Sequence, residues 1–161
     1  MRQAAYIFFA LVLFLAVSAC AETEYINTAI DQEKNIDKYI ETHYPDSVFT
    51  IVRNGGAIRV LMEEGEGEPV AKGDSAVFNY SGYIFSGSPS GMFAQGSYTA
   101  LLGKGDLVPG LDAGIEGMKK GEQSLIFFSA RYGFYNDAVS VVPKMSALVY
   151  NITLNDIIVK K

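Results

Sequence analysis

Side chains able to do acid, base, nucleophilic or metal chemistry are scarce in this sequence, and that scarcity is the first constraint on its function. Cys20 is the one cysteine and His43 the one histidine among 161 residues, and no Cys or His cluster accompanies either of them. This pattern assigns no metal, no histidine chemistry and no cofactor. Carboxylates do gather in Glu63-Glu64-Gly65-Glu66-Gly67-Glu68-Pro69, but without the alternating spacing and closing glutamate of a calcium loop, so the run reads as a solvated acidic loop. What the chain has in quantity is aromatic surface: ten tyrosines and ten phenylalanines, with no tryptophan. Residues of this kind wall apolar pockets, and a pocket can do work by stripping water from a polar bond.

Cys20 has a different chemistry in prospect. Arg2 is followed by an apolar run over residues 4–17 and then by Val17-Ser18-Ala19-Cys20. A basic start, a hydrophobic centre too short for a comfortable membrane span and small residues before a cysteine describe a secretory signal with a lipobox. Residues 1–19 are therefore expected to be a signal peptide, and Cys20 the lipidated mature N-terminus. An acylated Cys20 leaves no disulfide to form. An ordinary signal peptide or a membrane anchor is the alternative.

Loss of Arg2 with the leader turns the formal charge of −5 into −6. Such a chain has no electrostatic attraction to nucleic acid or to an anionic membrane, so membrane attachment would come from the lipid. About 140 mature residues suffice for one domain with a real core. A hydrophobic content of 49% argues against wholesale disorder.

The elements that must position the aromatic residues centre on residues 107–121. Pro109 suits a first helical turn, Leu111, Ile115 and Met118 recur at helical spacing, and Gly121 can supply the left-handed exit behind Lys119 and Lys120. A helix this short is unstable alone, so its stripe must lie on the neighbouring strands. Strand patterns run over residues 98–102, 124–129 and 147–157, with a long central strand at 75–85. Residues 48–52 and 57–63 form a strand pair around Asn54-Gly55-Gly56, and 86–91 reads as a flexible loop. Upstream, 20–30 reads as a polar tether. The isoleucines at 36 and 40, with Tyr44, mark an amphipathic helix that begins at Thr28 or Asp31 and is stopped by Pro45. Ile30 does not share their stripe. The helix either packs beside the domain, the reading favoured, or serves a partner or a second copy. There is no internal repeat and no second domain.

Four landmarks, in order, carry a family resemblance: Val77-Phe78-Asn79-Tyr80-Ser81-Gly82, Leu-Val-Pro-Gly-Leu at 107–111, Met-Lys-Lys-Gly-Glu at 118–122, and Val-Val-Pro-Lys-Met-Ser-Ala-Leu-Val-Tyr-Asn-Ile at 141–152. They resemble FKBP-type peptidyl-prolyl cis-trans isomerases, from about Gly56 to the C-terminus. The resemblance implies an α+β fold in which a twisted antiparallel sheet of about five strands wraps the helix at 109–118. The domain would occupy residues 56–161, behind a lipidated tether (20–30) and a helix with lead-in strand (31–55). It also implies a pocket walled by Tyr80, Phe93, Tyr98, Leu107, Val108, Val141 and Tyr150, floored by Leu111, with the Val108 N–H donating to a ligand carbonyl.

An X-Pro amide crosses roughly 18 to 20 kcal/mol on rotation, because resonance is lost in the twisted state. The twisted amide is less polar than the planar one, so a dry pocket favours it with no acid, base or nucleophile. The sequence departs from the family's pattern in its polar edge. Phe93-Ala94 stands where the family usually has Phe-Asp, and the segment to Tyr98 is too short for the bulge whose arginine pairs with that aspartate. In the overhanging loop Phe134 takes the place of a donor tyrosine, with Tyr135 beside it as a substitute. The expected function is isomerisation of X-Pro bonds in secreted or envelope polypeptides, from a lipid anchor on the periplasmic face or outer membrane of a bacterium. A peptide-binding or chaperone module with little isomerase activity is the alternative, and an envelope lipoprotein with no groove function a third.

Overall fold

The computed structural model describes the backbone of residues 2–160 and the side chains of residues 22–160; the expected signal peptide's side chains and that of Cys20 lie outside the described residues. The chain runs α1 (Arg2–His43), β1 (Ile51–Asn54), β2 (Ala57–Glu63), β3 (Ser75–Phe85), β4 (Pro89–Leu101), α2 (Pro109–Ile115), β5 (Gln123–Phe128), a 3-10 turn (Ala130–Tyr132) and β6 (Ala147–Ile158). The six strands form one antiparallel sheet in the order β1-β2-β5-β6-β3-β4, with β3 paired on both edges. The architecture is α+β as expected, with one strand more than the five counted from sequence.

Alternation along the strands serves two faces at once. On one face Ile126 and Phe128 of β5, with Leu148, Tyr150, Ile152 and Leu154 of β6, pack around Leu111, Ile115 and Met118. On the other face Phe127, Val149 and Phe85 pack with Ile36 and Ile40 of α1. The sheet therefore lies between two helices. The expected tether at 20–30 is helical, because α1 continues unbroken from Arg2 to His43. Ala29, Ile36 and Ile40 form its buried stripe while Ile30 is exposed, so no bend is needed. The loop expected at 86–91 shrinks to a turn, since Pro89 already pairs with Phe85.

Helix α2 sits unusually close to β5. A Cβ on Gly110 would collide with the ring of Phe128, and one on Gly114 with the side chain of Ile126. These two glycines, four residues apart on one helix face, let the helix backbone rest directly on the sheet. The helix is shorter than its apolar stripe: it ends at Ile115, and Gly117 at φ +83, rather than Gly121, makes the left-handed exit.

The carbonyls at that end are served by a buried arginine from β2, where the sequence suggested the lysines that follow. Arg59 Nη1 donates to the carbonyls of Gly114 (3.1 Å) and Glu116 (3.0 Å), and Nη2 to that of Gly117 (3.4 Å). Its Nε lies 3.4 Å from Glu122 Oε1, near enough to pair electrostatically but out of line for a hydrogen bond. Glu122 in turn accepts from Ser124 Oγ at 2.7 Å and the Lys119 N–H at 3.0 Å. Burial lowers the Arg59 pKa, and the Glu122 carboxylate opposes that shift. Removing one partner of such a network strands the other in the core, at about 3 to 5 kcal/mol. Arg59→Leu is expected to lose that much unfolding free energy in urea titration, whereas Lys119→Ala, on an exposed side chain, is expected to stay within about 0.5 kcal/mol of wild type.

Candidate functional site

The N-terminal end of α2 opens onto a cavity of about 460 Å³ on the concave side of the sheet. Five regions of sequence converge on it. Phe78 and Tyr80 come from β3, Phe93, Ala94 and Tyr98 from β4, and Tyr150 from β6. Leu107 and Val108 lead into the helix and Leu111 stands on its first turn; Phe134, Val139, Ser140 and Val142 come from the loop between the 3-10 turn and β6.

Tyr150 is the centre of the aromatic wall. Its ring stacks on Phe128 at 5.8 Å, meets Phe93 edge-on at 5.7 Å and lies 6.3 Å from Tyr80. Phe78 extends the mesh to Tyr80 and Tyr98, each at 6.2 Å. The meeting of Phe93 with Tyr150 depends on Gly82, which pairs with Tyr150 across the sheet; a Cβ there would come within 2.7 Å of the Phe93 ring. Strand β4 bulges at the same point. Ala94 faces Gly82 and Met92 faces Tyr83, so Phe93 is the extra residue, and both Phe93 and Ala94 reach the cavity.

Eight of the ten pocket residues expected from sequence come together here: Tyr80, Phe93, Tyr98, Leu107, Val108, Leu111, Phe134 and Tyr150. Val141 and Tyr135 do not. Val139 and Val142 exchange two backbone hydrogen bonds (3.1 and 2.9 Å), which makes Ser140 and Val141 the tip of a tight turn. Val141 is thereby 67% exposed, and Val142, 2% exposed, takes the place on the wall. Ser140 adopts φ +54 with no glycine or asparagine to announce the turn, so sequence gave no signal for that register. Tyr135 also has a left-handed backbone, at φ +50, and its ring leaves the cavity to meet Tyr25 of α1 edge-on at 6.1 Å. The cavity's edge therefore has no tyrosine hydroxyl from this loop.

Polar groups around the cavity are few. The Val108 carbonyl accepts the N–H groups of Leu111 and Asp112, each at 3.0 Å, while its own N–H meets no acceptor among the described residues. Asp106 is the one carboxylate among the lining residues, and its Oδ2 is held by the Leu101 N–H at 2.9 Å; position 94 offers only a methyl group. The Tyr150 hydroxyl is pushed up to about 12, first by burial and then by the neighbouring Tyr80. At neutral pH it is an uncharged donor. Chemically, the site can desolvate a peptide segment, clasp a ring between aromatic side chains and donate a hydrogen bond to a carbonyl.

Comparison with known proteins gives this geometry a context. The FK506-binding protein of Neisseria meningitidis serogroup B is 28% identical over 103 residues, 62% of this chain and 94% of that protein. FK506-binding protein 1 of Aspergillus oryzae is 25% identical over 111 residues, 62% of this chain and 96% of that one. Among solved structures, FkpA from Escherichia coli shares the fold with a TM-score of 0.63 at 23% identity, covering 94% of this chain and 71% of that chain. Residues 66–155 match the family model for FKBP-type peptidyl-prolyl cis-trans isomerases, a stretch that runs from the approach to β3 through β6 and takes in every residue lining the cavity. With more than half of its length and its whole cavity inside that match, the chain belongs to the FKBP-type peptidyl-prolyl cis-trans isomerase family.

Proposed function

We propose that this chain isomerises X-Pro peptide bonds in unfolded polypeptides of the cell envelope, where a lipid on Cys20 would hold it. The observation that carries the reading is the apolar cavity itself, floored by Leu111, walled by Tyr80, Phe93 and Tyr150, and supplied with a free N–H at Val108. A proline ring seated on Leu111 would leave water behind along with its amide. Desolvation penalises the planar, more polar amide more than the twisted one, which lowers the barrier without a titrating group. The Val108 N–H would hold a peptide carbonyl while the bond turns.

A second reading follows from the same cavity: a peptide-binding or chaperone module with little isomerase activity. Ala94 and Phe134 favour it, since neither contributes a polar group to the edge where the twisting carbonyl would lie. One missing hydrogen bond is worth about 1 kcal/mol, or roughly fivefold in rate. That is enough to weaken an isomerase but not to abolish it, so the isomerase reading ranks first. We read residues 56–161 as the isomerase domain, with the preceding segment packed on its back.

Three experiments decide among these readings. In a protease-coupled proline-peptide assay the full-length protein is expected to exceed the uncatalysed rate, and Phe134→Tyr to raise kcat/KM roughly fivefold. Tyr135→Phe is expected to change little, because that ring faces α1. Peptide binding without catalysis in all three proteins would leave the binding module standing. Leu111→Asp, with circular dichroism confirming the fold, is expected to abolish binding of a proline peptide or a macrolide of the rapamycin type; persistent binding would put the site elsewhere. For the anchor, Cys20→Ala is expected to release the protein from the membrane fraction or block its processing, and unchanged fractionation and migration would show that Cys20 is not lipidated.

A further inference from the structure

The loop that roofs the cavity is held in part from outside itself, by α1. Among the described residues, the three non-glycine positions with left-handed backbone are Tyr135, Ser140 and Met145, and all belong to this loop. Each such conformation is sterically costly for a residue with a side chain. The loop also buries the carboxamide oxygen of Asn136 without a partner. Its short-range bonds are local, from the Asp137 N–H to the Phe134 carbonyl (3.0 Å), between Val139 and Val142, and from Ser146 Oγ to the Pro143 carbonyl (2.8 Å), while two backbone links that meet at one residue tie its ends: the Tyr135 N–H donates to the Ala130 carbonyl (2.9 Å), and the Met145 N–H to the Tyr135 carbonyl (2.8 Å).

The remaining ties come from α1. The side-chain amide of Gln32 reaches both ends of the loop. Its Oε1 accepts the Ala130 N–H at 2.9 Å and its Nε2 donates to the Met145 carbonyl at 2.6 Å. Glu33 beside it accepts from Ser129 Oγ at 2.9 Å, and Tyr25, two turns earlier, packs on Tyr135. Tyr135 is next to Phe134, and the left-handed turn at Tyr135 sends the two rings apart, one to α1 and one to the cavity.

We propose that Gln32 is a positioning residue for the proline site: by fastening Ala130 and Met145 together it fixes the turn at Tyr135 and so aims Phe134 into the cavity. The proposal rests on the cavity being where a proline peptide binds. It makes the N-terminal helix part of the site's construction, although none of its described residues lines the cavity. A carboxylate at position 32 would still accept from Ala130 but would oppose the Met145 carbonyl.

Gln32→Ala and Gln32→Glu in the full-length protein separate this role from simple stability, with Asp37→Ala as the comparison. Asp37 also joins α1 to the sheet, through Arg53 at 2.7 Å, but makes no hydrogen bond or ion pair to the loop. Affinity is read with a fluorescein-labelled proline tetrapeptide, turnover as KM and kcat separately, loop order by hydrogen exchange at the Ala130 amide, and stability by thermal melting. Gln32→Ala is expected to weaken peptide affinity roughly tenfold, raising KM more than it lowers kcat, with faster exchange at Ala130 and a melting shift no larger than that of Asp37→Ala. Gln32→Glu is expected to keep the Ala130 amide protected and to lose less affinity. If Gln32→Ala binds and turns over within twofold of wild type, or if Asp37→Ala weakens binding equally, the proposal is overturned. A wild-type protein that neither binds nor isomerises would refute the reading of the cavity instead, a failure visible before any variant is made.

Discussion

The close seat of α2 on β5 is the contact on which the rest of the molecule depends. Seven residues of helix cannot stand alone in water, and this helix has no side-chain cap at its start. What holds it is the absence of side chains at Gly110 and Gly114, which brings its backbone onto Phe128 and Ile126, and the Arg59 guanidinium, which gathers the carbonyls where it ends. Because the helix is pinned at its far end and along its length, its near end is fixed too. That near end carries Val108 and Leu111, the donor and the floor of the cavity. A buried ion pair seldom adds net stability over an apolar replacement. Here its value lies in geometry, since an apolar side chain at position 59 could not receive three carbonyls.

The parts of this fold that were legible in the sequence are those in which local pattern and tertiary role agree. The turn at Asn54-Gly55-Gly56 gave β2 its start, alternation from Ser75 to Phe85 gave β3 its bounds, and Pro109 with Leu111 gave the helix its start. Landmarks around the cavity placed Tyr80, Phe93, Leu107, Val108, Leu111 and Tyr150 together. Where tertiary contacts decide, the pattern was silent or misleading. The apolar stripe continues to Met118 beyond the end of the helix, because Met118, past the turn at Gly117, is still buried in the core with Ile115 and the sheet. Val141 and Val142 are indistinguishable by type, and only a turn with no glycine or asparagine at its left-handed position puts the second of them on the wall. Phe93 enters through a bulge, which shifts the alternation by one residue and leaves no mark in composition. A polar stretch at 21–28 reads as a tether until its helix is seen to be continuous with a segment anchored by Ile36 and Ile40.

The two faces of the sheet divide the labour. The concave face holds α2 and the cavity, and the opposite face holds α1. Phe127 and Phe128 are neighbours in β5 but belong to different cores, and Val149 and Tyr150 repeat the arrangement in β6. A displacement of these strands is therefore felt on both sides. The loop from 129 to 146 adds a second link, since it leaves β5, passes over the cavity and returns to β6 while touching α1 at both ends. The helix behind the sheet is in this way mechanically continuous with the roof in front of it.

The chemistry asked of the cavity favours apolar walls over polar edges, and rough magnitudes show why. Rotation about the X-Pro amide costs roughly 18 to 20 kcal/mol, most of it lost resonance that no side chain can replace. A hydrogen bond to the turning carbonyl returns about 1 kcal/mol. Taking an amide out of water without a full set of partners costs roughly 2 to 7 kcal/mol, and the planar form, being more polar, bears more of that cost than the twisted form. The difference between the two states, not the whole penalty, speeds the reaction, yet even a fraction of it rivals or exceeds one hydrogen bond. On the isomerase reading, a chain that lacks a carboxylate at position 94 and a hydroxyl at 134 but has Tyr80, Phe93, Leu111 and Tyr150 around the cavity lacks the smaller contribution. By the same arithmetic, Phe134, with no hydroxyl to offer, would serve a proline site by excluding water, which requires that the loop hold its ring at the cavity.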